Sequence, residues 1–126
     1  MKRYYKYVTP IPLCRGYKYT SWGNPTGYNV EYRLNEWAKP KLSDSGLLVF
    51  DTLKTAKLFI IGLSVVKSLF LVDTEEPIDL PPCRAIFITN YRDIWKNSQE
   101  PHFFSLPWPE GTLAFRRVKL LEEISL

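Results

Sequence analysis

The sequence predicts an α+β fold: a small, mixed or mostly antiparallel sheet packed against one main short helix. Three observations carry this. The stretch Gly46–Ile60 runs from an unbroken apolar segment, Leu47–Phe50, through a capping pair, Asp51-Thr52, into an apolar stripe at helical spacing (Leu53, Ala56, Ile60). β-Branched and aromatic runs recur on both sides of it, at 3–8, 64–73, 83–89 and 112–121. Clusters of Pro, Gly and Asn separate those runs and supply turn geometry. With 126 residues, 45% of them hydrophobic, the chain supports one domain, 1–126, and one modest core.

In chain order, Arg3–Val8 suits a first strand, and Pro10 and Pro12 end it in an extended elbow. Leu13–Thr20 is a second short strand with Gly16 at its weak centre. Ser21–Gly27 is a turn cluster. Residues 28–35 alternate, with Val30, Tyr32 and Leu34 on the apolar face, until Pro40 stops the segment. Strand Leu47–Phe50 and the helix after it follow a polar loop, and Gly62 is the helix stop. Ser64–Asp73 is the next strand; it closes a strand–helix–strand unit, with an antiparallel return also open. Asp73–Pro82 is acidic and proline-punctuated, which predicts a solvated loop. Cys83–Thr89 is a strand, Asn90–Ser98 one or two helical turns, and Gln99–Gly111 a long loop. Thr112–Leu121 is the last strand.

Composition narrows the function classes. Leu58–Val72 is apolar but only 15 residues long and contains Lys67, too short for a span of about 20 residues, so no membrane association is expected. Met1-Lys2-Arg3 leads into tyrosines and not an apolar segment, so no signal peptide is expected. His102 is the only histidine, which leaves little material for a metal site or a Ser-His-Asp triad. Cys14 and Cys83 lack any metal-ligand spacing; two reduced thiols are favoured over one disulfide. There is no P-loop and no GxGxxG, and no cofactor is expected.

Charge is uneven. Residues 1–42 hold eight Lys/Arg against two acids, and the remainder nine against eleven. This basic third is rich in tyrosine. Aromatics make up 15% of the chain; large rings build core and also anchor interfaces, and composition alone does not separate the two.

A tyrosine-rich first strand, Tyr32-x-x-x-x-Trp37 before a proline, Gly46-Leu47-Leu48-Val49-Phe50-x-Thr52-Leu53-x-x-Ala56, and the closing Val118-Lys119-Leu120-Leu121-Glu122-Glu123 together resemble small accessory proteins of phages, archaeal viruses and mobile elements. The aromatic loop at 99–111 and the proline elbow depart from that pattern. The resemblance implies a compact α+β fold and an accessory role in the cytoplasm of a host cell. It carries over no catalytic residue.

Two stretches are candidate binding sites. In the first, Lys2, Arg3, Lys6, Arg15 and Lys18 interleave with Tyr5, Tyr17 and Trp22; cations neutralise phosphates and exposed rings stack on bases. The same residues also suit a sheet whose tyrosines fill the core while its lysines stay wet. In the second, Phe103, Phe104 and Trp108 are held among prolines, as an interface anchor or as rings folded back onto the core. Arg15-Gly16 with Glu122-Glu123 faintly resembles the ADP-ribosyltransferase pattern, without its Ser-Thr-Ser strand or spaced Glu pair. A carboxylate site built on Asp73, Glu75, Glu76 and Asp79 lacks rigid support.

The expected function is therefore a non-enzymatic protein that occludes a host protein or nucleoprotein, in an anti-CRISPR-like way, acting as a monomer or homodimer. Direct nucleic-acid binding is the second reading and a small ADP-ribosyltransferase-like enzyme the third.

Overall fold

The structure, a computed structural model, describes residues 2–14, 17–21, 30–41, 45–60, 67–80, 84–85, 105–106 and 108–125. Its elements are β1 (Tyr4–Pro12), β2 (Tyr17–Ser21), β3 (Glu31–Tyr32), β4 (Trp37–Ala38), β5 (Leu47–Phe50), α1 (Leu53–Ile60), β6 (Ser68–Ile78), β7 (Arg84–Ala85), β8 (Ser105–Leu106) and β9 (Thr112–Ile124). Among the described residues every pairing in the sheets is antiparallel, and one short helix accompanies them. The α+β expectation holds in that strand-dominated form.

The main sheet closes on itself. β6 lies between β1 and β9, and β5 bridges β1 and β9 on the far side. Below β5, β1 pairs with β2, β2 with β3, and β4 with β9. The path from Tyr5 through Leu71 of β6 reaches Glu122, whereas the path through Phe50 of β5 reaches Thr112, ten positions away on the same strand. Such an offset requires steeply tilted strands and gives a narrow barrel filled by side chains. A bulge helps close it: Leu71 faces Glu122 and Val72 faces Leu120, so Leu121 is the extra residue.

Alternation along the strands sorts residues into two cores. Val8, Tyr32, Val49, Phe70, Val118 and Leu120 fill the barrel, with Tyr4 and Tyr19 packed against them. The opposite face of β1 presents Tyr5 and Tyr7 to α1, where Phe50, Ala56, Leu69 and Phe59 complete an outer core. Ala56 is fully buried, and its small side chain lets the helix approach the sheet. The helix starts as expected: the Thr52 hydroxyl accepts from the Thr55 amide at 3.1 Å, satisfying a first-turn donor.

Three expectations are corrected. β1 does not end before its prolines; Pro10 faces Tyr19 and Pro12 faces Tyr17. Beyond Val8 the strand has no β6 partner among the described residues, and a residue without an N–H is tolerated on an open edge. The acidic segment after Asp73 is not a solvated loop up to Ile78. It extends β6 against β9, with Glu75 opposite Arg117. The strand expected over 28–35 is cut short, because Asn35 takes a left-handed φ of 62° and turns the chain; Leu34 is consequently exposed. The helical turns at 90–98 and most of the strand at 83–89 lie outside the described residues. Among the described residues no helix is long and apolar enough to cross a membrane.

Candidate functional site

The turn at Asn35 builds the most distinctive outer surface. The Asn35 amide donates to the Leu120 carbonyl at 2.8 Å, and the Glu36 amide to that of Arg33 at 3.1 Å. The chain is thereby laid against β9 with Trp37 opposite Lys119 and Ala38 opposite Val118. Ala38 and Val118 are buried in the barrel, so Trp37 and Lys119 point outward. Lys119 Nζ lies 4.8 Å from the centre of the Trp37 ring, and the Arg117 guanidinium 5.0 Å from it.

Acids from β6 complete the row. Glu75 accepts from Arg117 at 3.0 Å, and Asp73 stands opposite Lys119 in register. Asp73 also lies 3.6 Å from Arg3, just ahead of β1. The outer face therefore carries a ladder across three strands, Trp37–Lys119–Asp73, extended by Arg3 just ahead of β1, with Arg117 and Glu75 as a parallel rung. A shallow cleft lined by Glu31, Arg33, Glu36, Trp37 and Ala38 adjoins it. Arg33 is itself 3.7 Å from Glu31.

The predicted residues separate. Arg3 joins the ladder, and Lys2 is exposed, with its amine 5.5 Å from the Tyr4 ring. Lys18 is half-buried on β2. Tyr5 packs against the outer core under α1. Lys6 departs most from a surface role. It points into the barrel, is 8% exposed, and donates to the Leu48 carbonyl at 2.7 Å, with its amine 5.4 Å from the Tyr32 ring. Burial pushes its pKa down to about 7. A cation so placed does not neutralise an external phosphate. Tyr17 falls in β2, and Trp108 is half-buried. Arg15, Trp22, Phe103 and Phe104 lie outside the described residues.

Five tyrosines of the basic third turn inward. Tyr7 and Tyr32 are buried, and Tyr4, Tyr5 and Tyr19 pack against the two cores. That is the sheet reading of the tyrosine excess. Of the other candidates, Glu122 and Glu123 are exposed near the end of β9, while Arg15 and Gly16 lie outside the described residues. Cys14 is an exposed free thiol, and Cys83 lies outside the described residues. No group of three or more His, Cys, Asp and Glu able to hold a metal occurs among the described residues.

Sequence reasoning missed Trp37, Arg117, Lys119, Asp73 and Glu75 as one site. Alternation through 28–37 puts Trp37 with Glu31, Arg33 and Asn35 on the polar side, and the proline-punctuated acids read as a loop. The usable signal is Arg117-Val118-Lys119-Leu120, in which cations alternate with buried residues once Val118 and Leu120 are put inside. Comparison with protein-family models, with curated proteins and with solved structures found no match to this chain.

Proposed function

We propose that this is a non-enzymatic binding protein that engages a partner protein through the outward face of β4, β9 and β6. The observation that supports this most is the Trp37 ring with Arg117 and Lys119 over it. Trp and Arg are the residues enriched at interface hot spots, and a strand-held cluster loses little entropy on docking. Glu75 and Asp73 sit opposite those cations, so the face is electrically mixed. A polyphosphate favours an uncompensated basic groove, whereas a mixed face suits the alternating charges of a protein surface. Acting in a host cytoplasm to occlude a defence protein or nucleoprotein belongs to the same proposal, and there the support is the resemblance to viral accessory proteins.

The test is a pull-down from bacterial or archaeal lysate with the native chain and with Trp37→Ala combined with Lys119→Glu. Expected is one protein retained by the native chain after nuclease treatment and reduced at least about ten-fold by the double variant, equal to about 1.4 kcal/mol or more. Tight binding of labelled single-stranded DNA or RNA, falling steeply with salt, would move the assignment to the nucleic-acid reading. NAD turnover abolished by Arg15→Ala would move it to the enzyme.

A further inference from the structure

The barrel is closed unevenly. β5 pairs with β9 at four positions and β1 with β6 at five, but β1 meets β5 only where Tyr5 faces Phe50. The Lys6 amine also crosses that seam, donating to the Leu48 carbonyl at 2.7 Å. We propose that Lys6 is a proton-operated latch on the β1–β5 seam: its amine holds the seam shut from inside, and proton uptake opens the seam so that the charged amine reaches water.

The surroundings of Lys6 give this its physical basis. Tyr4 of β1, Tyr19 of β2 and Tyr32 of β3 are the titratable side chains packed on that core. The buried residues that β5, β6 and β9 contribute to it are aliphatic or phenylalanine. No carboxylate is among the buried residues described, and Asp73 and Glu75 are paired on the outer face. Among the described residues an ammonium in this interior meets the Leu48 carbonyl and the Tyr32 ring, and no buried carboxylate that would offset its lost hydration. The cheapest relief is local, because the seam beside it has a single backbone pair. Burial lowers the amine's pKa to about 7 from 10.5, so an open seam takes up a proton between those values. The proposal does not depend on what the Trp37 face binds.

Hydrogen exchange on the full chain tests it, read as protection factors for peptides covering 4–6 and 47–50 against peptides covering 116–122. Expected is a loss of protection across the seam of about fifty-fold from pH 9 to pH 7, close to ten-fold per pH unit until the lower pKa is reached, with 116–122 little changed. In Lys6→Met the seam should show no such loss. An equal loss in Lys6→Met, a parallel loss in 116–122, or none in the native chain overturns the latch. If Lys6→Met does not fold, the native chain decides: protection lost at 4–6 and 47–50 in step with titration of the Lys6 side-chain carbon resonance supports the latch, and titration with the seam's protection unchanged refutes it.

Discussion

The Tyr7 hydroxyl donates to the Ala56 carbonyl at 2.6 Å, joining the outer face of β1 to α1. It is a buried bond between elements far apart in the chain, and the ring beneath it contacts both Phe50 and Phe59. Tyr7→Phe keeps those ring contacts and leaves the carbonyl one donor short. Urea unfolding should show a loss of about 1–2 kcal/mol with an unchanged slope.

Lys6 makes stability depend on pH in a defined direction. Its folded pKa lies below its unfolded one, so the unfolded chain holds more protons between about 7 and 10.5. Stability must rise with pH across that window, by up to about 1.4 kcal/mol per unit, and level off below it. Lys67 is shifted the same way by burial. Tyr7 is shifted upward, which removes stability once unfolded tyrosine ionises, so the slope is best read from pH 7 to 9. Chemical unfolding of Lys6→Met over the same range should show a flatter profile and higher stability at pH 7.

Gly111 occupies a position closed to other residues. Its φ is 82°, and a Cβ there would meet the Asp51 carboxylate and the Thr55 side chain. Its carbonyl also accepts from the Asp51 amide at 2.8 Å, linking the start of β9 to the helix cap. Gly111→Ala should cost at least about 2 kcal/mol and lower the thermal midpoint by several degrees.

Core and surface positions should part sharply in a melting series. Phe70 is buried against Tyr19, with ring centres 4.9 Å apart, and Phe70→Ala should cost about 3–5 kcal/mol through the cavity it leaves. Leu58 is 53% exposed on the outer side of α1, and Leu58→Ala should change stability by no more than about 0.5 kcal/mol.

What could be read from the chain was what is local. Leu47–Phe50, the Thr52 cap and Leu53–Ile60 are specified by neighbouring residues, and the structure has each where expected. The prolines of β1 misled because a proline's cost depends on whether its edge is paired, which is a tertiary fact. The acidic run failed for the same reason: Asp73 and Glu75 read as loop until Lys119 and Arg117 stand opposite them. Lys6 could not be distinguished from Lys2 by composition. Even alternation put it on the side of Tyr4 and Val8, but only ring closure turned that side into an interior. The candidate face was illegible because its residues come from three separate strands.

The alternating ladder also bears on how quickly a partner is found. Cations matched by acids a few ångströms away produce little field beyond the roughly 8–10 Å over which salt screens charge. On the proposed function, a partner approaching this face is not drawn in from a distance; it must collide in nearly the right orientation. Association then falls in the unsteered range, about 10⁵–10⁶ per molar per second, and is nearly indifferent to ionic strength. Affinity at the Trp37 face would accordingly come from slow departure, not fast arrival.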